Sequence, residues 1–318
     1  MKRGSNNFLP KDNFRPRKRL GQNFLIDKNI LRKIMAAARL SAADNVLEVG
    51  PGKGILTEEL VKKAKRVVAV EKDKRLAEEI LNKSQIPNYE LRPSRLAPPE
   101  AGLAPQDDKC VFSVTLSPFD GVYPERSRRA QGKLCRRDDL RIICADILKI
   151  TADDLREWFN AEPYKIVANL PYNITSRFLR QFLESDYQPK EMILMVQKEV
   201  AERVVQKPGQ MSLLSVSVQF FCEPEILFFV SKNCFQPAPK VDSAVIRLNN
   251  IRRDKFAIPA DIFFAVVKKG FSAKRKQLKN NLGVTATALS QLGLKPTVRP
   301  QELSMGDWIK LAERGGRL

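Results

Sequence analysis

Residues 169–173 have side chains and backbone groups that can bind a planar aromatic amine. Asn169 offers an amide oxygen, and Leu170 offers a backbone carbonyl. The proline that follows biases Leu170 towards an extended conformation, which can project this carbonyl. Tyr172 adds a flat aromatic face. An apolar run at residues 164–168 precedes this stretch and has the pattern of a buried parallel strand, so the stretch is predicted at a strand's carboxyl end, where open α/β sheets bind ligands. The alternative is a strand-to-helix turn with proline at its first helical position and a core tyrosine.

A second candidate binding element is the glycine-rich turn that contains Gly50, Gly52 and Gly54. It lies between a predicted strand at residues 46–49 and a predicted helix at residues 55–64, as in the first turn of a nucleotide-binding βαβ unit. Its G-x-G-x-G spacing differs from that of dinucleotide binders, and it lacks the Lys-Ser/Thr ending of a phosphate-binding loop. The turn therefore favours a cofactor without a pyrophosphate, although similar turns also occur without any ligand.

Two acidic residues end the next two predicted strands. Glu71 closes the strand at residues 66–70, and its distance from the glycine turn favours a carboxylate that binds both hydroxyls of a ribose. Asp146 closes the strand at residues 140–145. It could accept a hydrogen bond from an adenine amine or cap the following turn. These segments together predict an α/β sheet whose carboxyl edge carries the site.

The composition indicates a polyanionic partner. Among 318 residues, 56 Lys and Arg outnumber 36 Asp and Glu, and the formal net charge is +20. Excess positive charge of this size is typical of nucleic-acid-binding proteins. The alternatives are an anionic membrane or solvated surfaces, although no apolar run approaches the roughly 18 residues of a membrane span. The candidate RNA contacts are Arg17, Lys18, Arg19, Lys268, Lys274, Arg275, Lys276 and Lys279.

Missing residue types exclude several kinds of chemistry. The chain has no histidine, which removes Ser-His and Cys-His nucleophiles and mixed Cys/His zinc sites. Its five cysteines form no C-x-x-C pair, as expected for a reduced cytosolic protein. We therefore expect a cytoplasmic protein without a metal, whose catalysis does not use imidazole.

The chain is predicted to have two domains and one insertion. Residues 1–250 have the α/β pattern, and residues 251–318 are predicted to form a small helical RNA-binding domain. Residues 93–139 interrupt the third strand, and Leu-Arg occurs at both edges of the interruption, at 91–92 and 140–141. Removal of residues 93–141 would restore one continuous strand. We expect a surface excursion with one possible strand at residues 111–116, or alternatively an RNA-binding arm carrying Arg126, Arg128 and Arg129.

The combination of motifs resembles the ribosomal RNA adenine N6-dimethyltransferases of the KsgA type. The resemblance covers nearly the whole chain except residues 93–139. The glycine turn is common to many methyltransferases, whereas the combination with the other motifs is specific. Its motifs are Gln22-Asn23-Phe24-Leu25, Glu48-Val49-Gly50-Pro51-Gly52, Glu71 with Asp73, Asp146, Asn169-Leu170-Pro171-Tyr172, and Phe235-Gln236-Pro237-Ala238-Pro239-Lys240-Val241-Asp242-Ser243-Ala244-Val245.

This resemblance implies a Rossmann-like, seven-stranded S-adenosylmethionine-dependent methyltransferase fold with one antiparallel strand and a small helical C-terminal domain. The implied substrate is a pair of adjacent adenosines in a hairpin near the 3′ end of small-subunit rRNA, each dimethylated late in subunit assembly. Phe235 and Tyr172 are the candidate stacking plates, although Phe235 could instead be a core residue. The implied donor-site residues are Asn23, Leu25, Gly50, Gly52, Glu71, Asp146 and Asn169, and the candidate catalytic residues are Asn169, Leu170, Tyr172 and Phe235.

Three other functions remain compatible with parts of the sequence. A large-subunit rRNA adenine methyltransferase of the macrolide-resistance type would share the same site. A non-catalytic RNA-binding assembly factor could keep the fold, but the intact Asn169 and glycine turn argue against it. The glycine spacing and the positive charge argue against a nicotinamide-dependent oxidoreductase. We expect the small-subunit enzyme, acting as a monomer.

Overall fold

A mostly parallel β-sheet with helices on both faces forms the centre of the computed structural model. The structure describes residues 17, 21–83, 110–114, 140–273 and 275–315. Within these residues the main sheet has eight strands in the order β4-β5-β3-β2-β6-β7-β10-β8. The strands are β2 (Asn45–Val49), β3 (Arg66–Glu71), β4 (Cys110–Val114), β5 (Leu140–Cys144), β6 (Tyr164–Asn169), β7 (Glu191–Gln197), β8 (Glu223–Val230) and β10 (Ser243–Asn249).

The strand directions confirm the expected methyltransferase sheet. The strands β5, β3, β2, β6 and β7 are parallel, while β10 is antiparallel to both of its neighbours, β7 and β8. These seven strands include one antiparallel member, as the sequence resemblance implied. The eighth strand, β4, comes from the interruption and pairs antiparallel with β5 at the sheet edge. The interruption therefore adds a strand to the fold without separating the strands that carry the site.

The apolar runs of the central strands form a sheet that is buried on both faces. In β2, Val46 belongs to one hydrophobic cluster, and Leu47 and Val49 belong to the other. The first cluster includes side chains from α1 (Lys28–Ala38), α2 (Ile55–Val61) and α3 (Lys74–Lys83). The second includes side chains from α4 (Ala152–Phe159), α5 (Thr175–Glu184), α6 (Lys198–Val204) and α7 (Leu213–Phe221). Helices on both faces explain why these strands lack the alternation of half-exposed strands.

Local signals set the beginning and end of several helices. The side chain of Asp27 accepts hydrogen bonds from the backbone N–H groups of Asn29 and Ile30, so it caps α1. Helix α7 begins after Ser212, which forms a capping box with Ser215. A 3-10 turn at Tyr172–Ile174 separates β6 from α5.

The C-terminal part is helical, as predicted, and its core is continuous with that of the sheet. The Phe220 ring of α7 stacks on Phe263 with ring centroids 4.2 Å apart, and both side chains are buried. Trp308 is also buried and stacks on Phe271. The boundary near residue 250 remains a prediction. The C-terminal helices are α8 (Ala260–Gly270), α9 (Leu278–Leu282), α10 (Ala286–Ser290) and α11 (Met305–Gly315).

A separate two-stranded sheet links the beginning of the described chain to the proline-rich loop. Strand β1 (Phe24–Leu25) pairs antiparallel with β9 (Phe235–Gln236). The backbone N–H of Ile26 extends this pairing with a 2.9 Å hydrogen bond to the carbonyl of Cys234. These contacts hold residues 23–25 beside the carboxyl ends of the central strands.

The predicted strand inside the interruption is confirmed for residues 111–114. Its register pairs Cys110 with Cys144 and Val114 with Leu140. The other residues of the interruption, including Arg126, Arg128 and Arg129, lie outside the described residues. On its other side, β5 forms five parallel pairs with β3, as many as it forms with β4, so one of its two neighbours lies outside the interruption.

Deletion of residues 93–141 is expected to leave a folded, active protein. The joined chain places Leu91 and Arg92 where Leu140 and Arg141 stood, so β5 keeps its sequence and its partner β3. Closure of a shorter loop has little entropic cost. Thermal unfolding and methyl transfer measure the outcome. A longer deletion that also removes residues 142–146 is the control and should abolish folding; loss of cooperative unfolding in the shorter deletion would show that the interruption belongs to the core.

Candidate active site

A cavity lies at the carboxyl ends of β2, β3, β5 and β6. Its wall combines the glycine turn, the ends of these strands and the segment before α1. All seven predicted donor-site residues line it, as do two further predicted catalytic residues. These residues are Asn23, Leu25, Gly50, Gly52, Glu71, Asp146, Asn169, Leu170 and Tyr172. The strand order therefore brings together residues that are up to about 150 positions apart in the chain.

The glycine turn forms the floor of this cavity and depends on left-handed backbone conformations. Gly50 has φ 64° and Gly52 has φ 60°, which residues with side chains adopt at a cost. A Cβ at Gly52 would also lie 2.9 Å from the ring of Phe24. The absence of a side chain at Gly52 thus lets the β1 segment pack over the turn.

Glu71 is held rigidly beside the turn. Its Oε2 accepts a hydrogen bond from the Gly52 N–H at 3.2 Å, and its Oε1 accepts one from the Asp73 N–H at 2.8 Å. Burial raises the pKa of this carboxyl. The hydrogen bonds from the backbone N–H groups lower the pKa, but they compensate for the effect of burial only partly. Two backbone donors therefore hold the Glu71 carboxyl in a fixed orientation at the cavity wall, and its ribose contact stays a prediction.

Asp73 organises the segment that leads into β1, a role that the sequence analysis did not assign. It accepts hydrogen bonds from Gln22 Nε2 at 3.0 Å and from the Arg75 guanidinium. The Arg75 contact lowers the pKa of Asp73 to about 2, with a further contribution from Gln22. Arg17, predicted to bind RNA, lies 3.7 Å from the same carboxylate. The sequence offered one indication of this contact, because Gln22 and Asp73 both occur in the motifs that carry the family resemblance.

Asp146 caps the turn that follows its strand and also lines the cavity, so its contact with an adenine amine stays a prediction. It lines the cavity, and its Oδ1 caps a 3-10 turn by accepting from the Leu148 N–H at 3.1 Å. Its Oδ2 accepts from Lys72 Nζ at 2.7 Å. Burial raises the pKa of Asp146, but the Lys72 and Leu148 hydrogen bonds outweigh that effect and keep the pKa below its ordinary value. Asp146 is therefore an ionised acceptor in a fixed orientation.

The Asn169 amide is oriented by a backbone contact from the other side of the cavity. Its Nδ2 donates to the carbonyl of Asn23 at 3.2 Å, and the Asn23 side chain in turn donates to the Gly21 carbonyl. Because Nδ2 is committed to Asn23, Oδ1 is the atom of Asn169 that is left to accept from a ligand. The arrangement supports the acceptor role that the sequence predicted.

Tyr172 and Leu170 lie at the cavity wall, whereas Phe235 does not. The Tyr172 hydroxyl shares a 2.7 Å hydrogen bond with Ser243 Oγ, which holds the half-buried ring at the start of its 3-10 turn. Phe235 is 3% exposed and packs in the hydrophobic cluster beside Leu25, which it faces across the β1–β9 pair. In this structure Phe235 anchors β1, because antiparallel pairing turns its ring into the core, and its stacking on a base stays a prediction.

Glu48 lines the same cavity and has an unusual environment. It is 1% exposed, both of its carboxyl oxygens are buried, and the neighbouring polar group is the buried hydroxyl of Thr57 on α2. Burial raises its pKa to about 8, and the nearby Glu71 charge adds to the rise. The sequence analysis quoted Glu48 only as part of a motif. The sequence indicated this unusual environment in one way: Glu48 is an acidic residue inside an otherwise apolar strand.

The predicted RNA-binding residues of the C-terminal part lie around the end of α8 and in α9. Lys268, Arg275 and Lys276 are exposed, and Lys279 is half-buried. Lys18, Arg19 and Lys274 lie outside the described residues. Within the part of the chain that the structure describes, no helix is long and apolar enough to span a membrane, and no group of three potential metal ligands occurs.

Comparison with known proteins identifies extensive similarity along the chain. The model of a family described as ribosomal RNA adenine dimethylase matches residues 13–91 and 127–314. A protein of Dehalococcoides mccartyi named ribosomal RNA small subunit methyltransferase A is 37% identical over 304 residues, covering 93% of this chain and 87% of that protein. A protein of Clostridioides difficile with the same name is 37% identical over 279 residues, covering 86% and 79% of the two chains.

Solved structures are similar in fold over most of the chain. A dimethyladenosine transferase from Plasmodium falciparum has a TM-score of 0.67 at 22% identity, covering 92% of this chain and 98% of that one. The 23S rRNA methyltransferase ErmE has a TM-score of 0.62 at 23% identity, covering 92% and 100%. At these identities the similarity concerns the fold, which proteins acting on different RNAs share.

Proposed function

Because this chain belongs to the ribosomal RNA adenine dimethylase family, we propose that it dimethylates N6 of two adjacent adenosines in small-subunit rRNA. The target is a hairpin near the 3′ end of that RNA, and the methyl donor is S-adenosylmethionine. The modification takes place in the cytoplasm, late in subunit assembly, and the protein acts as a monomer. The orientation of the Asn169 amide at the cavity wall carries the proposal.

The cavity residues fit the proposed donor. Glu71 would accept both ribose hydroxyls, Asp146 would accept from the adenine amine, and the glycine turn allows close approach of the backbone. The donor, when bound, supplies an electrophilic methyl group on a sulfonium.

The adenine amine is a weak nucleophile, and the residues at the end of β6 would increase its reactivity. Its lone pair is delocalised into the ring. Hydrogen bonds from the two N–H groups to Asn169 Oδ1 and the Leu170 carbonyl would favour a pyramidal nitrogen and fix the direction of its lone pair. Tyr172 would support the face of a base that has left its stack. The reaction would be accelerated by correct positioning of the amine and the methyl group rather than by a strong base, so it does not require a histidine.

The named relatives favour the small-subunit reaction over the alternatives. The curated proteins that are 37% identical are small-subunit enzymes by name, whereas the large-subunit enzyme ErmE is similar at 23% identity. An assembly factor without activity would not need the fixed Glu71 and Asn169 acceptors. A nicotinamide-dependent enzyme would need a different glycine spacing.

Methyl transfer from a labelled donor to small ribosomal subunits that lack the modification tests the proposal. Mass spectrometry of the isolated RNA should show two adjacent N6,N6-dimethyladenosines near the 3′ end. Large subunits serve as the control and should remain unlabelled. Labelling of large-subunit RNA alone would support the macrolide-resistance type, and donor binding without transfer to either subunit would refute the assignment.

Replacement of Lys274, Arg275 and Lys276 by alanine is expected to weaken RNA binding and to reduce its salt dependence. Each lost contact with a phosphate of a single strand lowers the slope of log K against log salt by about 0.7, so the slope should fall by about 2. Binding to a hairpin RNA over a range of salt concentrations measures this. Alanine at three exposed lysines elsewhere, Lys63, Lys190 and Lys207, is the matched control; an unchanged slope in the triple variant would place the RNA surface elsewhere.

A further inference from the structure

Asn281 is a buried polar residue on α9 whose side chain holds a neighbouring loop. It is 9% exposed, and its amide NH₂ donates to two backbone carbonyls, that of Gly270 at 2.5 Å and that of Ala273 at 3.1 Å. Ala273 belongs to the basic loop, residues 271–277, which joins α8 to α9 and contains the three consecutive basic residues at 274–276. One side chain therefore ties the end of α8 to the interior of this loop.

The chain leaves α8 without a glycine that would set its direction. Helices commonly end at a glycine in the left-handed conformation, as α9 does at Gly283, which has φ 74°. The residue after α8 is Phe271, with φ −87° and ψ 4°, so the last carbonyls of α8 need donors from elsewhere. The Asn281 amide supplies one of these donors to Gly270. The direction in which the basic loop begins therefore depends on a tertiary contact.

Both ends of the basic loop are packed against the rest of the C-terminal part. At its beginning, Gly270 lies so close to the Trp308 ring that a Cβ would be 2.5 Å from it. At its end, the buried Leu278 donates its N–H to the Val298 carbonyl at 2.8 Å. With both ends fixed, the conformation of the loop interior depends on the hydrogen bond that the Asn281 amide makes with it.

The surface around this loop has an unbalanced positive charge. Residues 262–301 contain eight Lys and Arg and no Asp or Glu. In the part of the chain that the structure describes, five of these basic side chains at or near the loop form no ion pair. They are Lys268, Lys269, Arg275, Lys276 and Lys279. Like charges held close together repel one another, and a polyanion relieves that repulsion, so this surface fits the phosphates of RNA.

We propose that Asn281 is a positioning residue for RNA binding, which holds the basic loop in the conformation in which its cations contact the phosphates of the RNA. This role rests on the proposed function. A loop that is ordered before binding loses little conformational entropy on binding, whereas a loop released from Asn281 must be ordered by the RNA. Loss of the two hydrogen bonds should therefore weaken RNA binding by about 10-fold. Donor affinity should stay unchanged, because no described residue of the loop lines the donor cavity.

Binding of a hairpin RNA to the Asn281→Leu variant of the full chain tests this role. Leucine has a similar size but cannot donate a hydrogen bond, and the loop keeps all its charges. The dissociation constant should rise by about 10-fold, with the wild-type slope of log K against log salt, because the slope counts phosphate contacts. Asn280→Leu changes the exposed neighbour on α9 and is the matched control, which should bind as wild type does. Wild-type affinity of Asn281→Leu would overturn the proposal.

Combination with alanine at Lys274, Arg275 and Lys276 shows whether Asn281 acts through the basic loop. In that background Asn281→Leu should weaken RNA binding by less than about twofold, because the cations that it positions are absent. An equal loss of affinity in both backgrounds would show that Asn281 acts elsewhere and would refute the positioning role.

Hydrogen exchange in the wild-type protein decides the question even if Asn281→Leu does not fold. The Lys276 N–H donates to the Ala273 carbonyl at 3.0 Å, inside the basic loop. If the loop is ordered before binding, this amide should exchange slowly in the free protein, and RNA should slow it further by less than about threefold. Fast exchange in the free protein that RNA slows strongly would show that the RNA orders the loop, and would overturn the proposal.

Methyl-transfer kinetics with small subunits separate this inference from the proposed function. Asn281→Leu should raise KM for the subunits by about 10-fold and keep kcat within about twofold of wild type, because the loop contacts the RNA and not the reacting atoms. A lower kcat with unchanged KM would refute the role of Asn281 and leave the proposed function standing. Failure of the wild-type protein to methylate either subunit would refute the proposed function itself, and hairpin binding and hydrogen exchange would still decide the role of Asn281.

Discussion

Replacement of Asn169 by alanine should lower the turnover of methyl transfer by about 100-fold or more, with a smaller loss of donor affinity. The variant removes an acceptor whose contact with the amine strengthens as the nitrogen becomes pyramidal, so the loss falls mainly on the transition state. Removal of a comparable preorganised group from other enzymes costs about 100- to 1000-fold in turnover. Single-turnover methyl transfer and calorimetric donor titration measure the two quantities separately.

Two further variants make the Asn169 experiment specific. Asn169→Asp keeps an oxygen acceptor but loses the donor that bonds the Asn23 carbonyl, so its activity should lie between those of wild type and Asn169→Ala. Asn29→Ala changes an exposed asparagine on the first turn of α1 and should leave turnover unchanged. Turnover of Asn169→Ala within threefold of the wild-type value would show that Asn169 does not act on the amine.

Replacement of Glu71 by alanine should weaken donor binding by about 100-fold. The variant removes a charged acceptor for two ribose hydroxyls, and each hydrogen bond to a charged group contributes about 1.5–3 kcal/mol. It also leaves the Gly52 and Asp73 N–H groups without their carboxylate partner. Calorimetric titration with S-adenosylhomocysteine measures the loss. Glu58→Ala, an exposed acid in the first turn of α2, is the matched control.

A ligand without ribose hydroxyls distinguishes a ribose contact from a damaged glycine turn. The 2′,3′-dideoxy analogue of S-adenosylhomocysteine should bind wild type and Glu71→Ala with similar affinity, because neither complex has the ribose contact. If Glu71→Ala weakens both ligands equally, the role of Glu71 is to hold the turn, and the ribose contact is refuted. Such a coupling measurement isolates the pairwise interaction.

Features encoded in short stretches could be predicted from the sequence alone. The strand, the glycine turn and the helix that follow one another at residues 45–61 depend on local apolar pattern and on backbone freedom at glycine. The carboxyl ends of parallel strands share one edge of a sheet, so positions at strand ends were sufficient to place Glu71, Asp146 and Asn169 together. The number of strands in the family's sheet and its one antiparallel strand followed from the family resemblance, whereas the strand order came from the structure.

Only the tertiary structure decided which groups are oriented, buried or paired across the fold. The Asn169 amide is oriented by a carbonyl 146 positions away, and Tyr172 is held by a serine 71 positions away. Phe235 was predicted to stack on a base, but its pairing with β1 turns it into the core. The isolation of Glu48 likewise depends on strands and helices that close around it. Sequence pattern determines which residue types reach a strand end, whereas hydrogen-bond partners and burial arise from contacts between distant segments, which no local pattern encodes.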